Sequence, residues 1–365
     1  MKPLLIVEFN YVMKRFTYFD FFKDVDCDYR FGDLNYDNIT DYCNSQQKTV
    51  AIVDCPYLVK PPTNLSMFDL VIVVDPETCF QQPADRVKEL QQHFSNNNLI
   101  TIAGGVSIDN PIDSPRFILL PWLMLEISLV NNTHSFKQAE KNKLFDALLG
   151  LNRPHRQFIF DSLTNNDLLD RGYVSLLVNT TMNDDHAIYY RSPDLDLVEE
   201  DEIQQVLTKN SKIFKSFDHV RYQTRFPSNS VRASAVLPAT IYDNSYFSIV
   251  AETNPSVGNF LTEKTAKPLY AGRLFVLFGS MGMLKQLHNY GFETFVDVIN
   301  ESYDTVLDND QRLQMAFDQV RMLCNENLDL VYKKLEPKLK HNQTLLADHA
   351  HFCRPVAEKI KEFLV

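Results

Sequence analysis

The sequence predicts an α/β protein with two Rossmann-type domains facing a central cleft. Three observations point there. Short runs of Val, Ile and Leu recur in the first third of the chain without the polar alternation of a half-exposed strand. Such strands are buried on both faces, as in a parallel sheet covered by helices. A second series of apolar runs begins near Lys143, and at 365 residues the chain exceeds one ordinary core and suits two domains.

Taken in order, PLLIVEF, TVAIVDCP, FDLVIVVDP and NLITIAGG read as strands. DRVKELQQHF, beginning at Asp85, has helical spacing and fits a crossover helix between two of them. After RFILLPWLMLEISLV comes NNTHSFKQAEKNK, a polar stretch with neither period, which suits a hinge or linker. KLFDALLGLNRPHRQFIFDSL then reads as a strand, a turn holding Pro154, and a helix whose apolar Phe158, Phe160 and Leu163 recur at helical spacing. GYVSLLVN, YFSIVAE and RLFVLFGS are further strands. DDHAIYYRSPDLDLVEEDEIQQVL, between the first two of these, reads as an acidic, exposed excursion. QRLQMAFDQVRMLCNENLDLVYKKL and CRPVAEKIKEFL close the chain as helices. The expected division is residues 1–135, residues 136–340, and a last helix in 341–365 packing back on the first domain.

The formal charge of -11 and a pI near 5.3 give an acidic field that repels phosphate backbones and anionic membranes. Nucleic acid is therefore not the default partner. No run of about 18 apolar residues exists, and the start, MKPLLIVEFNYVMKRF, is interrupted by Glu8 and Asn10, so neither a signal peptide nor a membrane span is expected. Cys27, Cys43, Cys55, Cys79, Cys324 and Cys353 are scattered, without CxxC or Cys-His spacing. They read as reduced thiols of a cytoplasmic protein, with no metal site.

Two α/β halves place a ligand where the loops at the carboxyl ends of their strands converge. In NFLTEKTAKPLYAGRLFVLFGS, Thr262 is a good N-cap, and the amides of the helical turn after it suit an anion. Two readings fit the neighbouring charges. Lys264 and those amides bind phosphates while Glu263 holds ribose hydroxyls, or Glu263 merely complements the helix dipole and Lys264 is solvated. Pro268 either kinks this helix or marks its break before Gly272.

In LNRPHRQF, Arg153, His155 and Arg156 stand at a helix start, where cations oppose the dipole unless an anion is bound; the alternative is a basic turn paired with nearby acids. HVRYQTRFPSNSVR carries Arg221, Arg225 and Arg232 among aromatic residues, a pattern that suits a nucleic-acid strand or an ordinary surface. The short DLD at Asp194 to Asp196, like Asp184 and Asp185, lies in the acidic segment and reads as solvated. GSMG at Gly279 to Gly282 follows a buried strand and has the makings of a phosphate cradle. GxSxG, HExxH, P-loop and full GxGxxG motifs are absent, which disfavours hydrolases and Walker-type ATPases.

Taken together, YFSIVAETNPSVGNFLTEKTAKPLYAGRLFVLFGS resembles the nucleotide-sugar segment of fucosyltransferase-like glycosyltransferases of the GT-B fold. In that family a strand ends in a Glu-Asn pair, and an aromatic residue precedes Thr-Glu-Lys. Glu252 matches the strand-end Glu, and Asn254 follows with Thr253 intervening. Phe260 and Leu261 take the aromatic-Val positions, with Phe where Tyr is usual, and Thr262, Glu263 and Lys264 match Thr-Glu-Lys. The family's upstream Asn-x-x-x-Arg turn resembles Asn152 to Arg156. GMLKQLHNYGFETFVDVINESYDTVLDNDQRL is similar to the tails of uncharacterised glycosyltransferase-like proteins of bacteria and phages.

The resemblance implies a GT-B donor domain in residues 136–340, in which Glu263 holds ribose and Lys264, Arg153 and Arg156 hold the diphosphate. Glu252, Asn254, Phe260 and Thr262 would complete that donor site. It implies transfer from a nucleoside-diphosphate sugar to a hydroxyl of a saccharide, glycan or protein, with no cofactor and no protein-bound metal. A base from the first domain would activate the acceptor; Glu8, Asp54 and Asp75, at the carboxyl ends of predicted strands, are the candidates. Two alternatives stand beside it. One is the same chemistry on modified DNA bases, with Arg221, Arg225 and Arg232 facing a duplex; the other is a non-catalytic nucleotide-binding or scaffold protein.

Overall fold

The computed structural model describes residues 4–9, 27–32, 48–54, 67–75, 99–104, 117–121, 124–125, 127, 141–179, 186–192, 237–253, 258 and 260–364. They fall into two compact units. One comprises the described residues of Met1–Trp122 and Asp348–Val365; the other comprises those of Leu123–Ser211 and Val231–Ala347.

The first unit is organised by six strands, β1 (Leu4–Phe9), β2 (Cys27–Gly32), β3 (Thr49–Asp54), β4 (Leu70–Asp75), β5 (Leu99–Ala103) and β6 (Phe117–Leu119). Their order is β2-β1-β3-β4-β5-β6, and every pairing is parallel. The four apolar runs read from the sequence are β1, β3, β4 and β5. Leu5 to Val7, Val50 to Val53 and Leu70 to Val74 are buried residue after residue. Successive side chains of a strand point to opposite faces, so unbroken burial means that both faces are covered. Each Val, Leu or Ile so buried contributes about 1.5–3 kcal/mol. The start of β3 is tied to the start of β4 by Asp69, whose Oδ2 accepts from the Thr49 amide at 2.7 Å and the Thr49 hydroxyl at 3.0 Å. The expected helix DRVKELQQHF lies outside the described residues.

The second unit holds β7 (Lys143–Leu151), β8 (Gly172–Asn179), β9 (His186–Arg191), β10 (Ser245–Ala251) and β11 (Phe275–Phe278), in the order β11-β10-β7-β8-β9. These strands pair in parallel except β8 with β9, which are antiparallel. The strand β9 corrects the expectation of an exposed acidic excursion: HAIYYR extends the sheet, and the Tyr190 ring packs on Phe160, 5.1 Å between centroids. Its acidic flanks, including Asp184, Asp185 and Asp194 to Asp196, lie outside the described residues, as do Arg221, Arg225 and Arg232.

The helices are α1 (Pro154–Asn165), α2 (Ala239–Asn244), α3 (Glu263–Tyr270), α4 (Met283–Asn289), α5 (Asn309–Leu323), α6 (Leu328–Ala347) and α7 (His349–Leu364). The helix α1 leaves β7 and buries Ile159, Phe160 and Leu163, while the Phe158 ring stands edge-on to Phe317 of α5. Pro268 does not end α3, which runs two residues past it. The end is set by Gly272, whose φ of 62° is open to glycine at little cost. There the Arg273 amide donates to the Pro268 carbonyl at 2.9 Å and the Gly272 amide to Leu269 at 3.2 Å, closing a Schellman turn. In α6, Leu328, Tyr332, Leu335, Leu339, Asn342 and Leu346 form one buried stripe. The helix α7, which belongs to the first unit, buries Phe352, Cys353, Val356 and Ile360.

One buried cation knits the amino-terminal side of the second sheet together. Arg273, 0% exposed, donates to the Tyr242 and Ser245 carbonyls at 2.6 and 2.8 Å, and its Nη2 pairs with Asp146 of β7 at 2.9 Å. The Ser248 hydroxyl of β10 donates to the same Asp146 oxygen at 2.7 Å, and the guanidinium lies over the Tyr242 ring. Each guanidinium nitrogen brought inside is thereby partnered, Nε by the Ser248 hydroxyl, which is what makes such a group tolerable in a core.

Candidate functional site

The candidate site lies at the other, carboxyl-terminal end of this sheet. From β7 the chain passes through α1 to β8 on one side; from β10 it passes through α3 to β11 on the other. Adjacent parallel strands whose connections diverge in this way open a crevice at their carboxyl ends, where open α/β sheets hold ligands. The β7–α1 and β10–α3 connections flank that point, and they carry LNRPHR and the Thr-Glu-Lys segment.

On the β7 side the strand is irregular between Leu148 and Leu151, and Gly150 has a φ of 68°. A β-carbon on Gly150 would make only an ordinary contact, 3.5 Å from Arg156 Nη1, so it is the backbone conformation that favours glycine. Asn152 is fixed by its amide on the Leu177 carbonyl and its side chain on Gln157, both at 2.6 Å. Arg153 then takes the N-cap position in extended conformation, with Pro154 at the first helical position. No side chain caps this helix and no acid stands in its first turn, although Arg153, His155 and Arg156 do.

On the β10 side, Glu252 ends the strand with a carboxylate that is 0% exposed. Its Oε1 accepts from the Thr262 amide at 3.0 Å and the Thr265 hydroxyl at 2.5 Å; its Oε2 accepts from the Thr262 hydroxyl at 2.7 Å and the Thr253 amide at 3.2 Å. Four internal donors engage the carboxylate, and Thr262, 1% exposed, faces it. Together they clamp the first turn of α3 to the end of β10. Phe260 is likewise buried in the core beneath this turn, so it too supports the site from behind. Thr262 is also the N-cap, its Oγ1 accepting from the Lys264 amide at 3.3 Å. Asn254 lies outside the described residues.

The cations converge on two consecutive residues. Arg153 donates to the Thr253 carbonyl, and Lys264 reaches the Thr253 hydroxyl at 3.3 Å. His155 Nε2 and Arg156 Nη2 meet the Glu252 carbonyl at 2.8 and 3.5 Å, and Arg156 Nη1 donates to the Leu151 carbonyl at 2.8 Å. Arg156 is 4% exposed and donates to backbone carbonyls; among the described residues, the buried His155 Nδ1 and Arg156 Nε have no partner. Burial, then the Arg153 charge, brings the Arg156 pKa down to about 10, against the pull of Glu252 and Glu263. Burial also brings His155 down to about 4; its bond to Glu252 opposes this, and the charges of Arg156, Arg153 and Lys264 reinforce it.

Glu263 and Lys264, adjacent in sequence, pair with each other at 2.7 Å. Burial raises the Glu263 pKa, but the Lys264 charge and hydrogen bond, with Lys267, outweigh it and hold the carboxyl below its usual value. Among the described residues of this end of the sheet, exposed Arg153 and part-exposed Lys264 stand against part-exposed Glu263, while the Glu252 carboxylate is buried. The arrangement can receive an anion with several oxygens.

The GSMG turn does not offer a second cradle. At the start of α4 the Leu284 and Lys285 amides already donate to the Asp304 carboxylate at 3.0 and 3.1 Å. The Gly279 carbonyl accepts from Arg312 Nε at 2.9 Å, and Met283 fills the space where a side chain on Gly279 would stand. Neither Asp304 nor the Glu252 clamp was marked in the sequence. Thr262 and Thr265, three apart and hence on one helical face, were the available signal for the latter.

Glu8, Asp54 and Asp75 belong to the first unit. Glu8 is next to last in β1, Asp54 closes β3 and Asp75 closes β4. That sheet reverses between β1 and β3, so Glu8 and Asp54 flank its own switch point. Among the described residues, no helix is long and apolar enough to cross a membrane.

No protein-family model and no curated protein matches the chain. Among solved structures, the chain is similar to the crystal structure of an alpha1,3-fucosyltransferase with GDP, at 9% identity and a TM-score of 0.37, over 95% of this chain and 90% of that one. A likeness so distant carries no substrate or activity across, and the function rests on the residues themselves.

Proposed function

We propose that the chain is a glycosyltransferase that moves a sugar from a nucleoside-diphosphate sugar to an acceptor hydroxyl of a saccharide, glycan or protein. The observation that carries this reading is the group of Arg153, Arg156 and Lys264 at the switch point of the second sheet, two of them on a helix start that has no acid of its own. A diphosphate supplies the missing negative charge, and Glu263 is placed next to it to accept hydrogen bonds from a ribose diol.

In the transfer, the acceptor oxygen bonds to the anomeric carbon as the bond from that carbon to the diphosphate breaks. The hydroxyl proton passes to a carboxylate base, the role for which Glu8, Asp54 and Asp75 are the candidates, and the nucleoside diphosphate departs with its charge matched by Arg156 and Lys264. Neutralisation by these side chains takes the part that a bound metal plays elsewhere.

The test is release of nucleoside diphosphate from a panel of nucleotide sugars, with and without acceptor saccharides. The wild-type chain is expected to turn over at least one donor, and Lys264→Ala to lower the rate by about 100-fold or more, the loss typical of removing one charge-stabilising donor. No release from any donor would leave a nucleotide-binding protein without this chemistry.

A further inference from the structure

We infer that the Glu263–Lys264 ion pair is a selectivity gate, which holds Lys264 back from bare phosphates and yields it to a phosphate that arrives with a vicinal diol. This rests on the donor site proposed above. The pair is a short contact, 2.7 Å, between side chains that are 19% and 26% exposed, so it is screened only in part. The two groups are neighbours on the first turn of α3, and that turn is clamped to β10 through Glu252 and Thr265. Neither group can be carried away from the other by a small backbone shift.

Consider first an inorganic phosphate or diphosphate at the crevice. It meets an ammonium whose charge is already matched. To take that ammonium it must strip a half-buried carboxylate of its ion-pair partner, leaving it the Lys267 charge and a backbone hydrogen bond beside a new anion, and like charges at that range repel. A nucleoside diphosphate brings a compensating group, because its ribose offers two hydroxyl donors to the carboxylate while its phosphates take the ammonium. One ion pair is exchanged for a diol–carboxylate contact and a phosphate–ammonium contact. A nucleoside alone, or a diphosphate alone, makes half of the exchange. The neighbouring cations sharpen the need for such a device. Arg153 is exposed and Arg156 has a buried Nε with no partner among the described residues, so without Glu263 the crevice would favour any small polyanion.

The experiment measures pyrophosphate binding by calorimetry to the wild-type chain, Glu263→Gln, Glu263→Ala and Lys264→Ala. Each variant is first checked for an unchanged far-ultraviolet spectrum. The gate predicts that pyrophosphate binds about tenfold more tightly to Glu263→Gln and Glu263→Ala than to wild type, and more weakly to Lys264→Ala. It further predicts that the nucleoside diphosphate found to bind wild type loses about tenfold on removal of its 2′ and 3′ hydroxyls, and that this loss vanishes in Glu263→Gln. Pyrophosphate affinity unchanged or weakened in both Glu263 variants would overturn the gate. So would intact nucleotide binding more tightly to Glu263→Gln than to wild type, because the carboxylate would then only repel. Failure of the donor-site reading shows itself separately, as a wild-type chain that binds no nucleoside diphosphate at all; a tightening of pyrophosphate in the Glu263 variants would then reveal only a charge effect, and the exchange would fall with the donor site.

Discussion

His155 is a residue on which burial and neighbouring charge act in the same direction. Its pKa of about 4 in the fold stands against 6.5 for an ordinary histidine. Between those values the unfolded chain takes up a proton that the folded chain refuses. The stability contributed by a neutral, buried His155 is therefore full above about pH 6.5, is lost as pH falls towards about 4, and amounts to about 3 kcal/mol. Thermal melts from about pH 7 to about pH 4 should show wild type losing stability more steeply through this window than His155→Gln. Parallel curves would contradict the assignment. Glu252 makes a second prediction at this scale. Its carboxylate positions α3, so Glu252→Ala should weaken nucleotide binding and also destabilise the fold by about 1–3 kcal/mol, the cost of buried donors left without an acceptor. Urea titration of the variant checks the second part; unchanged stability would mean the clamp is dispensable.

At the scale of elements, two connections decide whether the sheet presents its site. The end of α3 depends on Gly272, where a β-carbon would meet only the Gln343 side chain, at 4.0 Å, so strain at positive φ is the main penalty. Gly272→Ala should cost about 1 kcal/mol, read as a lower urea midpoint with unchanged slope. The start of β11 depends on Arg273. Arg273→Met leaves the buried Asp146 carboxylate without its cation and should destabilise by about 3–5 kcal/mol. Burial already pushes the Asp146 carboxyl up against the pull of Arg273, so the variant's Asp146 should be neutral at higher pH still.

The same elements show what was legible. The strands β1, β3, β4, β5, β7, β8, β10 and β11 could be read because their buried positions write runs dominated by apolar residues. The strand β9 could not, because an edge strand amid acidic residues carries no such run, and β2, CDYRFG, is polar for the same reason. The basic residues at the start of α1 could be read because they violate the dipole preference. The Arg273–Asp146 pair could not, since its members lie 127 residues apart and only the fold makes them neighbours. The hydrogen bonds between Glu252 and Thr262 were not legible for a related cause: a motif shows that a carboxylate and a hydroxyl are present, not which way they face.

For the whole molecule, the formal charge of -11 sets the long-range field, while Arg153, Arg156 and Lys264 stand together at the carboxyl end of the second sheet. A duplex offering many phosphates should therefore be repelled, and fluorescence anisotropy should detect no salt-dependent affinity for duplex DNA near physiological ionic strength. A steep dependence on salt would favour a modified-DNA acceptor. The two units each carry a largely parallel sheet with its own switch point. The most direct measurement is calorimetric titration of the chain with UDP, GDP, CDP and dTDP, repeated on a variant carrying both Arg156→Ala and Lys264→Ala. The account predicts saturable binding of at least one of these nucleotides and a loss of about 100-fold or more in the variant, or about 2.7 kcal/mol. Absence of binding by all four, or equal binding by wild type and variant, would contradict it.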